Sequence, residues 1–211
     1  MTDATTWPAL KRSLVAILRG LTPGETAGTI DALVEAGFEA IEIPLNSPDP
    51  FTSIRIAVET APPQCLIGAG TVLTEIDVDR LADAGGRLMV SPNVDANVIA
   101  RARAHQMVTM PGVFTPTEAL AAVKAGAAAL KFFPASVLGP AGIAAIRAVL
   151  PVDTEIGAVG GVSDTDYAGY GKVGVRTFGL GSSLYKPGMA VADITARARR
   201  SVAAYDDVFG G

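Results

Sequence analysis

Lys131 lies in the apolar run Ala-Ala-Leu-Lys-Phe-Phe-Pro (128–134), where a charge is costly unless it has a use. The run reads as a short buried strand, hidden from water on at least one face. A buried ammonium commonly responds by lowering its pKa and becoming neutral. A neutral amine in a pocket is a nucleophile for carbonyl carbon, the first requirement of Schiff-base chemistry. The alternative on this segment is a lysine with a buried stem whose ammonium reaches water. Both readings stand at this point.

Glu42 lies in Ala-Ile-Glu-Ile-Pro-Leu (40–45). Strand alternation puts Ile41 and Ile43 on one face and Glu42 on the other. A carboxylate on an inner face needs a partner or a task. It pairs with Lys131 either as a buried structural ion pair or as a working couple, and two strand-borne groups favour the second. An amine attacking a ketone gives a carbinolamine that must lose water, and a carboxyl group poised between its two forms can move those protons.

Gly160-Gly161 follows Ala-Val, and Gly-Leu-Gly-Ser (179–182) follows Arg-Thr-Phe. Glycines at strand ends let the backbone approach an anion closely, with N–H donors and a hydroxyl such as Ser182 to hold it. A lone pair would read as a tight turn; two clusters on adjacent strands point to phosphate, with Gly160, Gly161, Gly181 and Ser182 as contacts. Arg19 ends Ala-Ile-Leu-Arg (16–19) and can bind a carboxylate or phosphate bidentately, or pair with Glu42 as scaffolding. Thr71 offers a hydroxyl contact or a helix cap. Phe133 reads as a pocket wall. His105, beside Arg101 and Arg103, reads as an exposed helix terminus, and Tyr167, Tyr170 and Tyr185 have no assignable place.

These residues need a frame that brings them together. Strand-like runs recur at Leu14–Arg19, Ala40–Pro44, Leu66–Ala69, Leu88–Ser91, Val108–Pro111, Ala128–Phe132, Glu155–Val159 and Val175–Leu180. Between them lie alanine-rich amphipathic stretches, among them Pro23–Ala36, Thr74–Ala84, Ala96–His105 and Pro116–Ala125. Helix starts are signalled by Thr22-Pro23-Gly24-Glu25, Ser47-Pro48-Asp49, Thr115-Pro116-Thr117-Glu118 and Ser163-Asp164. Ala36-Gly37, Ala84-Gly85 and Ala125-Gly126 read as helix stops. Parallel strands need helical crossovers, so this alternation predicts an α/β fold, a single (β/α)8 TIM barrel spanning 1–211. A doubly wound open sheet is the runner-up. Residues 1–13 form a lead-in over the barrel bottom, and Ala190–Val208 is the last helix. Barrel active sites form at the C-terminal strand ends. Arg19, Glu42 with Asn46, Gly68 to Thr71, Ser91 with Asn93, Lys131, Gly160-Gly161 and Gly179 to Ser183 therefore converge on one mouth.

Bulk properties narrow the classes. The chain has 211 residues, 49% hydrophobic and 18% charged, with a formal net charge of −4. That describes a well-buried globular chain and gives no support for binding nucleic acid or an anionic membrane. The single cysteine, Cys65, excludes an internal disulfide and reads as a small core residue. No apolar run approaches the roughly 18 residues needed to span a bilayer. The N-terminus lacks a secretory pattern, so a cytoplasmic location is expected. One histidine, one cysteine and no acidic cluster at ligand spacing indicate no metal site.

With these residues in view, the chain resembles the class I aldolases that cleave 2-keto-3-deoxy-6-phospho sugar acids, the KDPG/KHG/KDPGal family. The matching stretches are Ile-Leu-Arg-Gly (17–20), Glu-Ile-Pro-Leu-Asn-Ser-Pro (42–48), Ile-Gly-Ala-Gly-Thr-Val-Leu (67–73), Ser-Pro-Asn (91–93), Pro-Gly-Val-Phe-Thr-Pro-Thr-Glu (111–118), Leu-Lys-Phe-Phe-Pro-Ala (130–135) and Val-Gly-Gly-Val (159–162). The resemblance implies a Schiff base on Lys131 and proton movement by Glu42. It also implies substrate contacts at Arg19, Thr71, Gly160, Gly161, Gly181 and Ser182, with no cofactor or metal, and a homotrimer of (β/α)8 subunits. Gluconate-type members carry Glu-Val-Thr-Leu-Arg-Thr where this chain has Glu-Ile-Pro-Leu-Asn-Ser, so the motif looks like the galactonate branch. The implied substrate is 2-keto-3-deoxy-6-phosphogalactonate, split to pyruvate and glyceraldehyde 3-phosphate. The gluconate epimer is the alternative, and a phosphate-sugar isomerase, epimerase or binding barrel is a more distant one.

Overall fold

The computed structural model describes residues 5–210; residues 1–4 of the expected lead-in, and Gly211, lie outside the described residues. The strands are β1 (Leu14–Ile17), β2 (Ala40–Pro44), β3 (Leu66–Gly70), β4 (Leu88–Val90), β5 (Val108–Met110), β6 (Gly112–Val113), β7 (Leu130–Phe132), β8 (Ile156–Val159) and β9 (Thr177–Leu180). The helices are α1 (Pro23–Ala36), α2 (Pro50–Thr60), α3 (Glu75–Asp83), α4 (Ala96–Ala104), α5 (Pro116–Ala125), α6 (Ala135–Arg147), α7 (Tyr167–Gly171) and α8 (Val191–Phe209).

All strand pairs are parallel, and the order is β5-β4-β3-β2-β1-β9-β8-β7-β6. The two ends of this sheet are consecutive pieces of one extended stretch, separated only by Pro111. Proline has no N–H for the ladder, so the fifth barrel strand divides there and each half serves a different neighbour. The Lys131 N–H donates to the Pro111 carbonyl at 2.9 Å, and Ala129 donates to Thr109 at 3.1 Å, closing the barrel. The expected TIM barrel is the observed architecture, with its fifth strand in two segments.

Two apolar clusters follow from the period-2 alternation of the strands. Ile41, Ile43, Leu130 and Phe132 face outward and pack against helix residues such as Ile30, Leu33 and Ile54. Val15, Ala40, Leu88, Val90, Val108, Met110 and Ala129 fill the barrel interior. Fully burying each such aliphatic or aromatic side chain stabilises the fold by about 1.5–3 kcal/mol. Glu42, between two outward isoleucines, and Lys131, between outward Leu130 and Phe132, are thereby committed to the inside.

Helix ends are set by local chemistry. At α5, Thr115 accepts from the Glu118 N–H at 3.3 Å and Glu118 accepts from the Thr115 N–H at 2.9 Å, with Pro116 opening the helix. At α1, Glu25 accepts from the Thr22 N–H and hydroxyl, and Gly37 closes the helix at φ 102°. The expected start at Ser163-Asp164 is corrected: the Ser163 N–H and hydroxyl both donate to Asp166 at 2.8 Å, making a turn, and α7 begins only at Tyr167. At the other barrel end the lead-in packs Trp7 and Leu10 against the interior cluster, and the Trp7 indole N–H donates to Ser13 at 2.9 Å.

Candidate active site

One cleft of about 180 Å³ opens at the C-terminal strand ends, and Arg19, Glu42, Thr71, Lys131, Gly160, Gly161, Gly181 and Ser182 all line it. The two expected catalytic residues and the six expected substrate contacts thus share one cleft. A cleft of about 490 Å³ at the barrel bottom is larger, but the chemistry-bearing strand ends do not face it. Ile17, Pro92, Val159 and Val162 also line the mouth; as apolar strand-end residues they carried no chemical signal in the sequence. Of the expected Ser91 and Asn93, neither lines the cleft. Ser91 donates to the Asn93 carbonyl at 2.8 Å, and Pro92 between them forms the wall.

Glu42 is 2% exposed and Lys131 6% exposed. Burial raises the Glu42 pKa to about 7, against the opposing pull of Lys131 and Arg19. Burial also lowers the Lys131 pKa, with Glu42 opposing and Arg19 reinforcing the fall. A structural ion pair should be in contact and hydrogen-bonded. Among the described residues no ion pair joins the two groups, and Glu42 Oε2 is buried without a hydrogen-bond partner. The arrangement therefore leaves a carboxyl poised between its forms and an amine biased toward neutrality, both aimed into one cleft. The Lys131 amine stands 4.8 Å from the centroid of the Phe133 ring, which walls it as expected.

Gly70 makes the room that Glu42 occupies: a β-carbon there would come within 1.9 Å of Glu42 Oε2. The obstacle is the end of a flexible side chain rather than backbone, so the fold can accept Gly70→Ala but the carboxyl must move. We expect that variant to lose about 100-fold in kcat, in line with displacing a general acid–base, with a nearly unchanged melting temperature. Steady-state kinetics beside a thermal melt check this.

Gly160 and Gly161 stand at φ 91° and 73°, a region that L side chains enter only with strain. A β-carbon would meet the Phe133 ring at Gly160 and Ser136 Oγ at Gly161. Gly181 begins a helical turn, its carbonyl accepting from Leu184 and Tyr185 at 2.9 Å. That leaves the amides of Ser182 and Ser183 at the open start of the turn, where an anion is favoured. Arg197 on α8 braces this loop, donating to the Ser182 and Ser183 carbonyls at 3.3 Å. Sequence reading passed over Arg197 because it lies on a helix far along the chain.

Thr71 is not a helix cap; Thr74 caps α3, and Thr71 holds φ 58° at the cleft. A β-branched residue there is a local cost of about 1–2 kcal/mol, of the kind that persists at functional positions. Arg19 does not pair with Glu42. Its Nη1 donates to Asn46 Oδ1. His105 caps the end of α4 at the surface, as its sequence position indicated, and its ring bonds Asp79 at 2.9 Å. Tyr167 and Tyr170 pack on Phe178 outside the barrel, away from the cleft. Among the described residues no group of three His, Cys, Asp or Glu side chains gathers at metal-ligand spacing, and no helix is long and apolar enough to cross a membrane.

The family model described as KDPG and KHG aldolase matches residues 9–199. The chain is 66% identical over 209 residues, 99% of each sequence, to a probable 2-dehydro-3-deoxy-6-phosphogalactonate aldolase of Rhizobium meliloti strain 1021. It is 47% identical to the 2-dehydro-3-deoxy-6-phosphogalactonate aldolase of Escherichia coli strain K12, covering 92% of this chain and 95% of that one. A solved structure described as native KDPGal superposes with a TM-score of 0.94 at 45% identity, covering 98% of this chain and all of the other.

Proposed function

The chain belongs to the KDPG and KHG aldolase family and is a carbon–carbon lyase, and from that premise we propose that it cleaves 2-dehydro-3-deoxy-6-phosphogalactonate to pyruvate and glyceraldehyde 3-phosphate through a Schiff base on Lys131. The observation that carries this reading is the unpaired couple of Lys131 and Glu42, buried in one cleft with their pKa values displaced toward each other.

The neutral Lys131 amine attacks carbon 2 of the keto acid. Protonated Glu42 gives its proton to the carbinolamine hydroxyl, which leaves as water, and the resulting iminium is an electron sink. The Glu42 carboxylate then takes the carbon-4 hydroxyl proton, directly or through water, the bond between carbons 3 and 4 breaks, and glyceraldehyde 3-phosphate is released. The electrons of that bond leave an enamine of pyruvate on Lys131. Glu42, through water, returns a proton to carbon 3, and hydrolysis frees pyruvate and the amine. No metal or cofactor enters this sequence.

The substrate's length orients it. Its carboxylate is bonded to the atom that Lys131 attacks, whereas its phosphate lies four carbons further on. The glycine turns after β8 and β9, with Ser182, suit the phosphate. Arg19 acts on both Lys131 and Glu42 through its charge and sits on the β2 side, so it and Thr71 suit the carboxylate. The names of the two similar aldolases and the Asn46 motif support the galactonate epimer. The reading further includes a homotrimer, on the family resemblance, of single-domain barrels with the cytoplasmic location expected from the sequence.

Two results test it. Measured kcat/KM should favour the galactonate-derived substrate over its carbon-4 epimer by about tenfold or more, as a site built around one hydroxyl configuration does. The rate should also peak near neutrality. Above a midpoint near the Glu42 value of about 7 the carboxyl has lost the proton that the carbinolamine needs, and at low pH the Lys131 amine is charged and cannot attack. A pH–rate profile flat across that midpoint contradicts the role of Glu42.

A further inference from the structure

Among the described residues, three other arginines are held by carboxylates: Arg12 by Asp206, Arg101 by Asp79 and Arg200 by Asp164. Arg19, the arginine at the cleft, is held differently. Its guanidinium donates to the side-chain amide oxygen of Asn46, on the loop that follows β2. Arginine carries only donors, so the amide must present Oδ1 to it.

The contact belongs to a two-residue clasp. Next to it the Gly20 N–H donates to Ser47 Oγ at 2.9 Å, and the Ser47 N–H donates to the Pro44 carbonyl at 2.9 Å. Arg19-Gly20 at the end of β1 is thereby fastened to Asn46-Ser47 at the end of β2, on the strand that carries Glu42.

We infer that Asn46 is a positioning residue that orders the Arg19 guanidinium at the cleft while leaving its positive charge unneutralised, so that the charge is available to the carboxylate of the keto acid. The inference rests on the proposed aldolase reading. Two physical reasons carry it. A free arginine side chain samples many rotamers, and a tether formed before the ligand arrives reduces what binding must still order. An aspartate in the same place would supply the same oxygen but would also satisfy the charge, and the incoming anion would have to displace it. A neutral amide avoids that competition.

The effect should be confined to the carboxylate end of the substrate. In the intact protein, the pyruvate concentration giving half-maximal borohydride trapping reads that end alone, because no aldehyde or phosphate is present. Asn46→Ala should raise it about tenfold, Arg19→Ala by at least as much, and the double variant no further than Arg19→Ala. Half-saturation by glyceraldehyde 3-phosphate in the condensation direction, and the melting temperature, should stay close to wild type for Asn46→Ala.

An unchanged pyruvate response in Asn46→Ala beside a weakened one in Arg19→Ala overturns the inference and leaves the reading of Arg19 intact. Additive losses in the double variant also overturn it, since Asn46 would then act on substrate independently. No loss in Arg19→Ala removes the carboxylate role itself, and the inference with it.

Discussion

Lys131→Ala should abolish turnover, lowering kcat by roughly 10,000-fold or more, the scale of losing a covalent nucleophile that works as a unit with its acid–base partner. The protein should remain folded, because the charged form of this amine is what its burial disfavours. A volume-conserving Lys131→Met variant separates the two effects: it refills the space that alanine leaves open, and its stability should lie within about 2 kcal/mol of wild type or above it. Single-turnover assays on both variants, beside denaturant melts, test this. Substantial activity in either removes the Schiff base from the account.

The second large effect joins activity and stability in opposite directions. Glu42→Gln should slow turnover by about 100- to 10,000-fold, the range of a lost general acid–base. It should also slow deuterium exchange into the methyl group of pyruvate, a half-reaction that needs no aldehyde. Native Glu42 keeps its proton to about pH 7, whereas the unfolded chain releases it near the ordinary glutamate value of 4.5. The stability that this raised pKa contributes is present below the lower value and is lost as pH rises through the higher one. Glutamine cannot ionise, so the variant should gain relative to wild type across that window, by on the order of 3 kcal/mol above it. Less activity with more stability is the signature of a group kept for chemistry. A variant less stable at alkaline pH would instead identify Glu42 as scaffolding.

Much of the site was legible because its two central groups stand out against their surroundings. A lysine and a glutamate in otherwise apolar strand runs are conspicuous in any sequence, and alternation with Ile41, Ile43, Leu130 and Phe132 fixes which way they point. Helices α1 and α5 fall on their expected bounds because chemistry within a few residues sets both ends. Ser163-Asp164 misled for a related reason. The serine is a capping type, but its bonds run to Asp166 and close a turn first. The division of the fifth strand at Pro111 follows from the missing N–H, yet only closure of the sheet shows that Gly112–Val113 continues on the other side.

Contacts between loops were out of reach. Arg19 and Asn46 are 27 positions apart, and the sequence offered Glu42 as an equally good partner. The choice depends on how the turns after β1 and β2 face each other. Likewise Gly70 was placed at the mouth by its position, but the Glu42 carboxyl lying across it is a tertiary fact.

The measurement that bears most directly on the central claim is the intact mass of the protein after incubation with pyruvate and borohydride, followed by peptide mapping. The account predicts one reduced pyruvyl adduct per chain, on the peptide that carries Lys131, and none in Lys131→Met. Folded protein that gains no adduct, or gains it on another lysine, contradicts the account.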